Sequence, residues 1–104
     1  MILDERTYTI RPDGMQDFLE LYETQGLPLL REHLGGFAGF FKAETGIINQ
    51  VVHLWTFKDA GDREQRRIQL WSDQRWKDYT TKVLPLIERM ENRLLVPTSF
   101  SQWR

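Results

Sequence analysis

Runs with strand periodicity and runs with helix periodicity alternate along the 104-residue chain in the order β-α-β-β-α-β, separated by brief turn signals rather than linkers. That order predicts an α+β fold of ferredoxin-like topology, a four-stranded antiparallel sheet with its helices on one face. The length allows one domain and one core over residues 1–104 and is too short for two. With 40% apolar and 28% charged residues, the composition is that of a folded domain and not of a disordered chain.

The elements follow from local chemistry. Ile2–Ile10 reads as the first strand, since Thr7, Tyr8, Thr9 and Ile10 favour extended backbone. Arg11-Pro12-Asp13-Gly14 is a turn. Met15, Phe18, Leu19 and Tyr22 then fall at i, i+3, i+4 and i+7, one face of a helix. Gly26-Leu27-Pro28 is expected to interrupt it, with a second short helix from Pro28 to Leu34 ended by Gly35-Gly36. Phe37–Glu44 and Ile48–Phe57 read as strands joined by a turn at Thr45-Gly46. Asp59 suits the N-cap of a helix through Trp71. Ser72 or Asp73 suits the cap of another helix, bearing Trp76, Tyr79, Val83 and, past Pro85, Ile87 and Met90. The last strand is expected at Asn92–Val96, before Pro97. The tail Thr98–Arg104 carries Phe100 and Trp103 and is expected to dock.

Side chains alternate across a strand. Val51, His53, Trp55 and Phe57 share one face of the third strand, and Gln50, Val52, Leu54 and Thr56 the other, so both faces are largely apolar. The fold supplies helices for one face only. The other predicts a homodimer through the sheet face, with Trp55, Phe57 and Leu94 in the apolar burial that holds it.

Several function classes are disfavoured. The charges sum to −1, without the basic surplus usual in nucleic-acid binders. No run reaches the roughly 20 apolar residues of a membrane span, and Asp4, Glu5 and Arg6 stand where a signal peptide would be apolar, so a cytoplasmic protein is expected. With no cysteine, two histidines and no HxH or HxxxH spacing, no metal site is expected. No phosphate loop or nucleophile elbow is present, and no cofactor is expected.

Asp4-x-Arg6-x-Tyr8, Gly26-Leu27-Pro28, Asn49-Gln50-Val51-Val52-His53-Leu54-Trp55, Trp76-x-x-Tyr79, and Met90-Glu91-Asn92-Arg93 leading to Pro97-Thr98-Ser99-Phe100-Ser101 resemble the NIPSNAP family over essentially the whole chain. Position 4 holds Asp where that family more often has Glu. The resemblance implies the dimeric α/β-barrel superfamily, in which two ferredoxin-like subunits close a barrel. That superfamily holds cofactor-free monooxygenases, haem-dependent enzymes and small-molecule binders. The NIPSNAP family itself has no general assigned reaction.

Asp4, Arg6 and Tyr8 lie at i, i+2 and i+4 on one strand face. Arg6 offers a planar donor fork for a carboxylate or phosphate, Tyr8 a hydroxyl, and Asp4 a carboxylate to hold Arg6 or act as a base. In a sheet of order 4-1-3-2, His53 and Trp55 neighbour them, and His53 is the candidate acid or base. These five residues are the expected binding site. A structural Asp4–Arg6 ion pair and a packed, hydrogen-bonded His53 are the plainer alternatives. His33, beside Gly35-Gly36, complements a helix C-terminus, with an axial haem ligand as the rival role. Arg63, Arg66 and Arg67 are expected on solvated helix faces, with Asp62–Arg66, Glu64–Arg67, Asp73–Lys77 and Asp78–Lys82 as pairs. The leading reading is a homodimeric barrel binding a small anionic or aromatic molecule. The alternatives are a cofactor-independent monooxygenase or isomerase and a non-catalytic interaction module.

Overall fold

The computed structural model describes residues Met1–Trp103. Strand β1 (Ile2–Ile10) leads to α1 (Met15–Leu21), which continues through a π-helical turn (Tyr22–Gly26) into α2 (Leu27–His33). Strands β2 (Gly36–Lys42) and β3 (Gln50–Phe57) follow. Helices α3 (Ala60–Ser72) and α4 (Gln74–Val83) and a 3₁₀ turn (Leu84–Leu86) then lead to β4 (Ile87–Leu95). The sheet is antiparallel with order β2-β3-β1-β4, as the ferredoxin-like reading requires.

Four local expectations change. The predicted break at Gly26-Leu27-Pro28 is a continuous helix instead. In regular α geometry the Pro28 ring would meet the carbonyl of Thr24; the π turn widens the helix there and takes up the mismatch. Gly26 also lets the helix approach α4, because a Cβ at this position would stand 2.5 Å from Tyr79 Cζ. Second, the helix expected to reach Met90 ends at Val83, and β4 begins at Ile87, five residues before the expected Asn92. Pro85 ends the helix, and Ile87, already extended, pairs with Ile10. Third, the tail does not dock at Phe100, which is 86% exposed; Arg104 lies outside the described residues. Fourth, of the anticipated helix-face pairs only Asp62–Arg66 is present among the described residues, at 2.8 Å. Asp73 binds His33 and Arg75 instead, and Asp78 accepts from Gln74.

The caps fall where the chemistry places them. Asp59 accepts from the Asp62 N–H at 2.8 Å, and Asp73, not Ser72, accepts from the Arg75 N–H at 2.9 Å. Gly35 closes α2 with φ of +81°, a conformation that costs glycine little.

The helices cover the sheet face bearing Val51, His53, Trp55 and Phe57, all buried, and these pack with Ile10, Phe18, Tyr22 and Leu70. This corrects the expectation that Trp55 and Phe57 help bury a dimer face: both lie under the helices of their own chain. Leu94 pairs with Asp4 and so shares that inner face. The outer face carries Leu3, Val52, Leu54 and Leu95, half-buried, and Phe41, exposed. Polar pairs interrupt it: Arg93 donates to Glu5 at 2.7 Å and Arg89 to Glu91 at 2.9 Å. Among the described residues no helix is long and apolar enough to cross a membrane.

Candidate functional site

Register brings the five predicted site residues together. Asp4 opposes Trp55 and Arg6 opposes His53 in the β1–β3 ladder, and Tyr8 lies two residues beyond Arg6. All five therefore point from the central strands toward the helices.

Asp4 is 1% exposed. Its Oδ2 accepts from Arg6 Nη1 at 3.2 Å and from Arg63 Nε at 3.0 Å, and its Oδ1 from Asn92 Nδ2 at 3.1 Å. Burial alone would raise its pKa; the charge of Arg6 and the donors from Asn92 and Arg63 outweigh burial and hold it below the ordinary carboxylate value. The expected Asp4–Arg6 pair is thus present, and Arg63 from α3 makes it a triad. Arg6 also donates from Nε to Tyr8 Oη at 3.0 Å, which fixes both side chains.

His53 is 2% exposed and ringed by Tyr8, Tyr22 and Phe40, with centroids at 4.8, 5.6 and 5.2 Å. Trp55 Nε1 donates to its Nδ1 at 3.1 Å, and Tyr22 Oη lies 3.4 Å from the same nitrogen. An indole N–H can only donate, so Nδ1 is the acceptor and the proton of the neutral imidazole sits on Nε2. Burial, and then the charge of Arg6, push the His53 pKa down to about 3 despite Asp4 nearby. His53 is accordingly neutral at physiological pH. Its Nε2 has no hydrogen-bond partner.

His53 lines a cavity of about 70 Å³ between sheet and helices, large enough for a small molecule or several waters. Arg6, Tyr8, His53 and Trp55 line it from the sheet; Arg67, Trp71, Trp76 and Tyr79 line it from the helices. Asp4 is not in the lining; it holds Arg6 from behind. Trp71 and Trp76 meet edge to face at 5.9 Å, and Trp76 leans on Tyr79 at 5.1 Å. The buried Nε1 of Trp76 also lacks a partner.

Arg63 and Arg67 are the site residues that sequence reasoning missed, together with the Trp71–Trp76–Tyr79 wall. Arg63 and Arg67 were expected in solvent with Arg66. In fact Arg63 reaches Asp4, and Arg67 faces the cavity with no hydrogen bond or ion pair among the described residues. Burial, and then repulsion from Arg6 and Arg63, lower the Arg67 pKa. The i, i+4 spacing of Arg63 and Arg67 was the available signal, since it places both on one face of α3.

His33 lies outside the cavity. It ends α2, as expected, and its Nε2 is 2.9 Å from Asp73 Oδ2, which leaves that nitrogen engaged rather than free for a haem iron. Glu32, His33 and Asp73 bring possible metal-ligand atoms within 4.8 Å of one another, but Arg75 bonds both carboxylates at 2.7 Å.

The NIPSNAP family model matches residues 3–102. The chain belongs to the NIPSNAP family. A NIPSNAP family protein of Agrobacterium tumefaciens superposes with a TM-score of 0.96 at 40% identity, over 99% of this chain and 98% of that one. An uncharacterized NIPSNAP-like domain protein of Burkholderia xenovorans gives 0.91 at 42% identity, over 96% and 87%. Drosophila melanogaster NipSnap is 30% identical over 100 residues, 96% of this chain and 36% of the fly protein. The chain thus spans roughly a third or less of the first curated NIPSNAP relatives, down to 19% of a Caenorhabditis elegans protein. A structure described as an antibiotic biosynthesis monooxygenase shares the fold, with a TM-score of 0.67 at 11% identity, over 94% of this chain and 99% of that one.

Proposed function

We propose that this NIPSNAP domain is a homodimer that binds a small anionic molecule with an aromatic or other planar apolar part in the cavity between its sheet and its helices. The observation that carries this reading is the Nε2–H of His53, buried and unpartnered on a residue that lines the cavity. A buried donor without an acceptor costs about 1–3 kcal/mol, and a ligand acceptor removes that cost. Arg67 supports the same reading, as a cation in the lining with no ion pair among the described residues. A pure interaction module has no need of either group.

The geometry favours binding over base catalysis at His53. A base needs a free lone pair, and the imidazole's one lone pair already accepts from Trp55. Dimerisation through the outer face is supported by the apolar residues Leu3, Val52, Leu54, Leu95 and Phe41, which no helix covers. Native mass spectrometry of gently purified protein tests both parts. The expected species is twice the chain mass of 12.5 kDa, carrying a small acid that is released on denaturation. A monomer would overturn the dimer. A ligand that is retained equally after His53→Phe and Arg67→Leu would overturn the cavity as its site.

A further inference from the structure

The polar groups of the cavity are arranged with one bias, which the binding reading alone does not require. Four of them are committed or unpaired donors. His53 Nε2–H and Trp76 Nε1–H are buried without acceptors. Arg6 is spent on Tyr8 and Asp4 through Nε and Nη1, and Arg67 has no partner among the described residues. The lining contains no Asp, Glu, Asn or Gln side chain; besides these donors its polar groups are hydroxyls and the other indoles. Asp4 stands behind Arg6 with its oxygens already occupied by Arg6, Arg63 and Asn92, and Glu64 lines the outer depression beside Arg67, not the cavity.

Charge is biased the same way. Arg6, Arg63 and Arg67 set three guanidinium groups against the single carboxylate of Asp4. His53, with Nδ1 taken by the Trp55 indole, adds no charge and can only donate from Nε2. An ammonium group entering this cavity would meet the like charge of Arg6 and Arg67, with hydroxyls and aromatic faces but no carboxylate to offset it. A carboxylate would meet the free guanidinium of Arg67, on a lining whose His53 and Trp76 each hold an unpartnered N–H, and charge-assisted bonds are the stronger ones.

We infer that the cavity selects small organic monocarboxylates, which only accept hydrogen bonds, and rejects their amides, the corresponding amines and zwitterionic amino acids, with Arg67 receiving the carboxylate and Trp76 and His53 donating beside it. This rests on the cavity being a binding site. Arg67 also lines the shallow surface depression beside Ala60 and Ile68, so it stands where the cavity meets solvent and can meet an acid on entry. The cavity volume of about 70 Å³ restricts the buried part to a few heavy atoms or to a ring whose carboxylate stays near Arg67.

The test is an isosteric series at two sizes: propionate, propionamide and propylamine, and benzoate, benzamide and benzylamine. Each is titrated while the His53 Nε2–H and Trp76 Nε1–H resonances are followed by ¹H–¹⁵N NMR. Toluene serves as an uncharged filler that reports whether the cavity admits anything. The expected result is that, in at least one size class, the acid binds tenfold or more tightly than its amide and amine and shifts both resonances. Arg67→Gln, at a helix position that tolerates Gln, should bring acid and amide to within about twofold of each other while the fold, followed by circular dichroism, persists. An amide or amine that binds as tightly as its acid overturns the selectivity and leaves the cavity reading intact. Resonances that move with toluene but with neither acid do the same. If toluene and all six compounds leave both resonances unmoved, the cavity reading falls and the selectivity with it.

Discussion

Lowering the pH from 7.5 to 5 should destabilise this protein by an amount that one residue sets. His53 is 2% exposed and its pKa falls from 6.5 to about 3 on folding. In the unfolded chain the imidazole takes a proton as the pH drops below 6.5; in the folded chain it does not until near 3. The stability His53 confers by staying neutral is therefore full above pH 6.5 and is lost progressively below it. At pH 5 the unfolded state is favoured by about 2 kcal/mol relative to pH 7.5, from the 1.5 pH units between 5 and 6.5 at 1.36 kcal/mol each. The assay is urea denaturation at fixed protein concentration at pH 7.5, 6 and 5, on wild type and His53→Gln. Gln keeps an acceptor for the Trp55 indole and removes the titration. The chain has one other histidine, His33, and its contribution cancels in the comparison. The wild-type stability should fall about 2 kcal/mol more than the variant's. Parallel curves would show that His53 is not held neutral, and the argument for a donating Nε2–H would fail with it.

Four further outcomes follow. Asp4→Asn leaves Arg6 and Arg63 without their carboxylate and should cost about 3–5 kcal/mol in denaturation experiments, against about 1–3 for Arg6→Ala, which leaves Arg63 and Asn92 on Asp4; equal losses would contradict the triad. Because its pKa is lowered on folding, Asp4 contributes stability that is present above about pH 4 and is lost as the pH falls further, so acid denaturation of Asp4→Asn should be the shallower below pH 4. Gly26→Ala should lower stability by about 1–3 kcal/mol although Ala is the better helix former, since its Cβ would meet the rigid ring of Tyr79; a stabilised variant would show that the helices can separate there. Light scattering at low micromolar concentration should give twice the chain mass, as expected of an obligate interface of roughly 2,000 Å² or more; a monomer would remove the dimer.

The sheet was legible because strand parity is a period-two signal: once the order 4-1-3-2 is assumed, the third strand neighbours the first and His53 could face Arg6, which the register bears out. The same parity does not say which face the helices cover. Both faces of β3 are apolar, so Trp55 and Phe57 could be assigned to the wrong side until the packing was seen. Residues on α3 were harder. Arg63 and Arg67 carry the chemistry of a solvated helix face, and whether an arginine reaches inward depends on the sheet beneath it, 59 residues away in the case of the Arg63–Asp4 bond. The π turn was hidden for a similar reason. Gly26-Leu27-Pro28 locally favours a break, and the close packing of Gly26 against Tyr79 favours a helix that runs on.

The central claim is that the cavity over His53 is a site for an acid and not a packing flaw. A high-resolution crystal structure of the protein grown with benzoate or propionate tests it most directly. The account predicts a carboxylate in the cavity, with an oxygen about 3 Å from a guanidinium nitrogen of Arg67 and an acceptor at similar distance from His53 Nε2. A cavity closed by its own side chains, with Nε2 bonded to a protein group and Arg67 turned to solvent, would contradict it.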